Sequence, residues 1–182
     1  MANSVFNLSN LNGSNGFKIN GITANDLSGF SVSSAGDING DGFDELIIGA
    51  YAADPNGSYS GQSYVVFGKN GGFTSALNLS DLNGSNGFII NGITAFDNFG
   101  RSVSSAGDVN GDGFDDLIIG ALGADPNGSI SGQSYVVFGK SGGFTSSFNL
   151  SDLNGSNGFA INGITAYDFS GRTVSSAGRC QR

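Results

Sequence analysis

The chain repeats itself every 71 residues, and that period constrains its fold more than any other feature. Residues 8–78 align without a gap on residues 79–149, with 57 of 71 positions identical, and a third copy runs from Leu150 to Gly178. Near-identical units carry near-identical apolar faces. Each can bury its faces only by stacking on the next, so a repeat array is expected rather than one irregular core. Within a unit the strand signals are short. Residues 16–22 alternate apolar and polar, residues 30–35 alternate weakly, and residues 46–48 and 63–67 are continuous apolar runs.

Thirty-two glycines among 182 residues, with only 12% charged, argue against helices, where glycine costs about 1 kcal/mol relative to alanine. The Val, Ile, Phe, Tyr and Ser usage suits short strands joined by Gly, Asn, Asp and Ser turns. Four strands per unit of about 70 residues is the content of one β-propeller blade. Strands apolar on both faces fit a sheet stacked between two neighbours. The expected fold is therefore all-β, a partial propeller arc of four-stranded antiparallel blades. In this register residues 1–22 hold the last strand of a preceding blade. Residues 23–93 and 94–164 are two whole blades, and residues 165–182 begin a truncated third repeat with a first strand at 172–177. A closed ring of seven would need about 500 residues. Open blade edges at both ends would favour association.

One stretch per unit carries chemistry. Asp37-Ile-Asn-Gly-Asp-Gly-Phe-Asp-Glu45 returns as Asp108-Val-Asn-Gly-Asp-Gly-Phe-Asp-Asp116. Oxygen-bearing side chains fall at positions 1, 3 and 5, glycine at 6 permits a sharp turn, and a carboxylate closes the run at 9. A tightly curled loop of this kind wraps a hard divalent cation in side-chain and carbonyl oxygens. Asp37, Asn39, Asp41 and Glu45 would supply side-chain oxygens and Phe43 its carbonyl. Asp108, Asn110, Asp112, Asp116 and Phe114 repeat the set, giving two calcium sites. Asp44 and Asp115 are left to back these ligands or face solvent. Asn-Gly and Asp-Gly are also hairpin-turn signals that need no metal. Against that, each copy packs four carboxylates into nine positions with no Lys or Arg, and the charges would repel one another without an ion. Neither copy is an EF-hand, because Ile48 and Ile119 stand where that loop needs its bidentate Glu. A shell without His or Cys excludes a typical zinc site, though not other hard divalent ions. Asp54, in Asp-Pro-Asn-Gly, reads as turn chemistry before it reads as a further ligand.

Charge and cysteine usage narrow the function. Net charge is −8, and eight of fifteen acidic residues lie in the two loops. With no basic patch to meet phosphates, nucleic acid and anionic membranes are not expected partners. Cys180 has no second cysteine to pair with, which fits the cytosol and equally a secreted protein stabilised by calcium. No signal peptide or membrane span is read in the chain.

The stretches Gly29-Phe-Ser-Val-Ser-Ser-Ala-Gly-Asp-Ile-Asn-Gly-Asp-Gly-Phe-Asp-Glu-Leu-Ile-Ile-Gly-Ala50 and Gly100-Arg-Ser-Val-Ser-Ser-Ala-Gly-Asp-Val-Asn-Gly-Asp-Gly-Phe-Asp-Asp-Leu-Ile-Ile-Gly-Ala121 resemble FG-GAP repeats. These are the blades of the integrin alpha-chain propeller and of related bacterial, especially cyanobacterial, secreted proteins. The resemblance implies a seven-bladed parent fold, calcium in the aspartate-rich hairpin loops, and a role in adhesion or extracellular ligand recognition, with a protein or glycan partner at the cell surface. The chain departs from the pattern in places. Gly29-Phe30 reverses the opening pair, Tyr51 and Leu122 replace the proline of Gly-Ala-Pro, and Arg179 stands where a third loop would begin. That break favours a truncated product over a self-assembling arc. Catalysis is not expected. The chain has no His, so no Ser-His-Asp or Cys-His arrangement exists, and the calcium motif already accounts for the acidic clusters. A non-catalytic propeller portion of a larger secreted enzyme is the alternative. Substitutions between copies gather at Asn25/Phe96, Leu27/Asn98, Ser28/Phe99 and Phe30/Arg101, the place where blades would differ in function if they do; drift in an exposed loop is the simpler reading.

Overall fold

The computed structural model describes residues 6–176. The break at Arg179 and the lone Cys180 lie outside the described residues. Eleven strands and three short 3₁₀ turns make up the described chain. Strands β2 (Ser31–Gly36), β3 (Glu45–Ala50), β4 (Gln62–Val66) and β6 (Gly87–Asn91) form one antiparallel blade in the order β2-β3-β4-β6. Strands β7 (Phe99–Gly107), β8 (Asp116–Ala121), β9 (Gln133–Val137) and β11 (Gly158–Asn162) form the second in the same order. Strand β1 (Lys18–Asn20) belongs to neither sheet and flanks the first blade. This is an open, partial propeller.

The first blade is apolar on both faces because its strands alternate between two cores. Ile47, Val65, Phe88 and Ile90 face the second blade and join Phe99, Val103, Leu117, Ile119, Tyr135 and Val137 in one buried cluster. Their chain neighbours Ile48, Tyr64 and Val66 face the other way, packing with Leu79, Leu82, Ile19 and Phe73. Period-2 alternation thus serves two stacking interfaces instead of one core and one wet face.

Two short strands were not legible as such. β5 (Ala76–Asn78) pairs in parallel with β1, and β10 (Ser147–Asn149) pairs in parallel with β6. Each lies in the connection between a blade's third and fourth strands and reaches back to the outermost strand of the preceding unit. Phenylalanines follow the same path. Phe73 stacks on Phe17 with centroids 4.2 Å apart, and Phe144 on Phe88 at 4.3 Å. The blades are therefore stitched by backbone ladders as well as by apolar packing.

Residues 172–176, within the segment expected to form a first strand, are not in strand conformation. Just ahead of this segment the chain is tied to the second blade: Gly132 and Ser170 form an isolated bridge, and Ser102 Oγ donates to the Gly171 carbonyl at 2.9 Å.

Two of the substitutions expected ahead of a first strand, Phe99 and Arg101, lie within β7 and have a packing explanation. Phe99, where the first copy has Ser28, is fully buried and meets Tyr135 edge-on at 5.7 Å. The Arg101 guanidinium lies over the rings of Phe30 and Tyr51 at 5.2 and 5.1 Å, a contact from one blade to the next.

Candidate metal-binding loops

Each nine-residue motif spans the turn from a blade's first strand to its second. The β2–β3 ladder shifts register between Ser34 and Gly36, and β7–β8 between Ser105 and Gly107. Gly36 has φ of +72° and Gly107 +73°, a bulge with a left-handed glycine that bends the strand into the loop.

Inside the first loop the side chains fold onto the backbone. Asp37 Oδ1 accepts the N–H groups of Gly40 (2.7 Å) and Asp41 (3.1 Å), and Oδ2 accepts that of Gly42 (3.0 Å). Asn39 Oδ1 accepts from Asp41 N–H, and Asp41 Oδ1 from Phe43 N–H, both at 2.9 Å. Glu45 closes the loop, its Oε2 accepting Ile38 N–H at 2.8 Å. The second loop repeats the pattern: Asp108 accepts from Gly111, Asp112 and Gly113, Asn110 from Asp112, and Asp112 from Phe114. Asp116 is one methylene shorter than Glu45 yet still accepts Val109 N–H at 2.8 Å, and Gly139 N–H at 2.9 Å.

Burial sorts these carboxylates. Asp41 and Asp112 are exposed, Asp37 and Asp108 half-buried, and Glu45 and Asp116 buried. Burial pushes the Glu45 carboxyl up from 4.5 to about 7, with Asp41 and Asp37 adding like-charge repulsion. Asp116 is raised as well, first by burial and secondarily by Asp112. Among the described residues no three Asp, Glu, Cys or His side chains converge into a ready-made metal group. The donor set is nonetheless of one kind. Every side-chain acceptor in both loops is an oxygen, the Asn39 and Asn110 amide groups donate to Asp41 and Asp112, and Asp37 and Asp41 lie close enough to Glu45 to help raise its carboxyl. Such a set fits a hard divalent ion. Asp54, weighed as a further ligand, instead caps its own turn, with Oδ1 accepting Tyr59 N–H at 2.7 Å.

Two features escaped the sequence reading. Asp115 is half-buried and reaches the first loop, where its Oδ2 accepts Asp37 N–H at 3.0 Å. Nothing in the nine-residue motif distinguishes it from exposed Asp44. The second is a cavity of about 680 Å³ on the second blade, lined by Asp97, Asp125, Gln133, Tyr135 and Phe159 among others. Asp97 is buried there, and burial raises its carboxyl from 3.8 to about 6, against donation from Thr94 and with Asp125 adding repulsion. The recurrence of Thr-Ala-x-Asp at residues 26, 97 and 168 was the available signal.

The sequence matches the FG-GAP repeat at residues 28–66 and 99–137, which brackets both loops and the three strands around each. Curated relatives are integrin alpha chains. Mouse integrin alpha-2 is 37% identical over 101 residues, covering 56% of this chain and 8% of its own. Drosophila melanogaster integrin alpha-PS2 is 33% identical over 133 residues, covering 70% of this chain and 9% of its own. Xenopus laevis integrin alpha-4 is 30% identical over 114 residues, covering 63% and 10%. The chain thus spans about a tenth of the length of these relatives. Two antiparallel blades with the acidic loop at the same hairpin in each thus coincide with two FG-GAP repeats, and the chain is similar to integrin alpha chains.

Proposed function

We propose that the chain is a calcium-binding FG-GAP module for adhesion or extracellular ligand binding, with one structural calcium ion in each hairpin loop. The observation that carries this is the repeated loop geometry. Asp37, Asn39, Asp41 and Glu45, and Asp108, Asn110, Asp112 and Asp116, present oxygen donors in the same order around the same turn, with a buried carboxylate closing each. Phe43 and Phe114 would add their carbonyls. A bound ion would supply positive charge to carboxylates that otherwise repel one another, and so lock the hairpin that joins the first two strands.

Ion binding to the folded state alone stabilises it by about 2.7 kcal/mol per site at 100-fold excess over Kd. In this reading the ions hold the blades, and a protein or glycan partner docks elsewhere on them. The setting is extracellular or at the cell surface, where calcium is plentiful. No helix among the described residues is long and apolar enough to cross a membrane. The residue chemistry supports a binding role over catalysis, since the chain has no His and its acidic clusters belong to the loops.

The test is thermal unfolding in chelator and in millimolar calcium, followed by capture on arrayed extracellular proteins and glycans with and without chelator. A calcium-dependent rise in Tm together with chelator-sensitive capture is expected. A Tm indifferent to calcium sinks the structural-ion reading. Capture that survives chelation in a protein that does bind calcium would separate the partner's site from the ions.

A further inference from the structure

We propose that Asp115 is a positioning residue for the cation loop of the preceding blade, so that the two loops are coupled through it. This rests on the reading of the loops as cation sites. Asp115 occupies the eighth position of the second loop, beside the ligand Asp116, but its bonds go to the first loop. Its Oδ2 accepts Asp37 N–H at 3.0 Å, and its own N–H donates to the Asp37 carbonyl at 3.1 Å. The backbone of the first loop's leading ligand is thus gripped from both sides. The carboxylate lies so close to Gly36 that a Cβ there would overlap it.

A second connection runs parallel to the first. Lys140 N–H donates to the Ile38 carbonyl at 2.9 Å, while the preceding residue, Gly139, donates to Asp116 Oδ1 at 2.9 Å. Ile38 N–H in turn holds Glu45 Oε2. Both ends of the first ligand set, Asp37 and Glu45, are therefore positioned by groups that also bear on the second set. Phe114 completes the contact, its ring covering Gly40.

The arrangement is not symmetric. Asp44, at the equivalent position of the first loop, is exposed, and the space beside Gly111, the counterpart of Gly40, is open. An ion that orders the second loop fixes Asp115 and Asp116, and with them the backbone of Asp37. The effect on affinity is reciprocal by linkage: each ion strengthens the other's site by the same factor. The eighth position of the motif, in this account, serves the neighbouring blade's loop rather than its own.

The experiment is calcium titration by calorimetry, with hydrogen exchange read at the amides of residues 37–41. Asp108→Asn with Asp112→Asn silences the second loop, so the first is read alone. In that background Asp115→Ala weakens the remaining site about tenfold, the worth of one charge-assisted hydrogen bond. Asp115→Asn, which keeps an acceptor oxygen, recovers most of the loss, and Asp44→Ala changes that site by less than about twofold. Exchange at residues 37–41 speeds up in Asp115→Ala with and without calcium. Equal weakening by Asp44→Ala and Asp115→Ala, or unchanged affinity and exchange in Asp115→Ala, overturns the proposal. If the wild-type chain takes up no calcium, the cation reading fails separately. Exchange in the calcium-free protein then decides the clamp, and unchanged rates in both Asp115 variants overturn it.

Discussion

Replacing Asp97 by Asn should stabilise the protein at pH 7, and only there. Asp97 and Asp168 sit in the same Thr-Ala-x-Asp turn, 71 residues apart, in different surroundings. Asp168 is exposed, accepts the N–H groups of Ile164 and Thr165 and the Thr165 hydroxyl, and its carboxyl is held below the usual range by these bonds. Asp97 is buried, and burial outweighs the Thr94 donors, lifting it from 3.8 to about 6. A carboxyl raised in the folded state contributes stability below about pH 3.8 that is lost as pH rises through about 6. Shifted by about two pH units, the ionised group costs about 3 kcal/mol at pH 7. Asn keeps an acceptor for Thr94 but gives up charge assistance worth about 1 kcal/mol. The net gain is about 2 kcal/mol, or about 4–8 °C in Tm for a chain of this size. Circular dichroism melts in chelator at pH 7 and pH 4 measure it. The variant should melt higher than wild type at pH 7 and no higher at pH 4. A lower Tm at pH 7, or an equal difference at both pH values, would refute the reasoning.

Other substitutions test the remaining contacts. Phe88→Ala empties a fully buried site stacked on Phe144 and should cost about 3–5 kcal/mol in chemical denaturation, far more than Phe17→Ala at the half-buried equivalent pair. Gly49→Ala places a methyl where the Gly100 carbonyl of the next blade sits, and should destabilise the protein by about 1–3 kcal/mol while leaving strand content unchanged by circular dichroism. Glu45→Gln should act with opposite signs in two buffers. In chelator it removes a buried charge beside Asp37 and Asp41 and raises Tm; in calcium it removes a ligand and lowers Tm relative to wild type.

Much of the architecture was legible because the period is visible in the residues. The apolar run at residues 46–48 lies within β3, the run at 63–67 overlaps β4, and the alternating stretch at 30–35 overlaps β2. Their two-faced character announced stacking. Strand β5 carries no such signal, since Ala76-Leu-Asn78 is too short to show periodicity, and its pairing is with a residue stretch 58 positions earlier. A parallel ladder between different units is a tertiary fact. Asp115 was missed for a related reason. The motif treats positions 8 and 9 as members of one loop, whereas the bulge at Gly36 and the stacking of the blades bring position 8 of one loop to position 1 of the other. Phe99 and Arg101 looked like drift ahead of a strand. In three dimensions they fill the seam between blades, where the first copy's own Ser28 and Phe30 meet different neighbours.

Equilibrium dialysis of the purified chain against calcium, with bound ion counted by elemental analysis, bears most directly on the loops. The account predicts two calcium ions per chain, falling to one in Asp112→Asn/Asp116→Asn and to none when Asp41→Asn/Glu45→Gln is added. No bound calcium in a cooperatively folded wild-type protein, or retention of two ions after both pairs of substitutions, would contradict it.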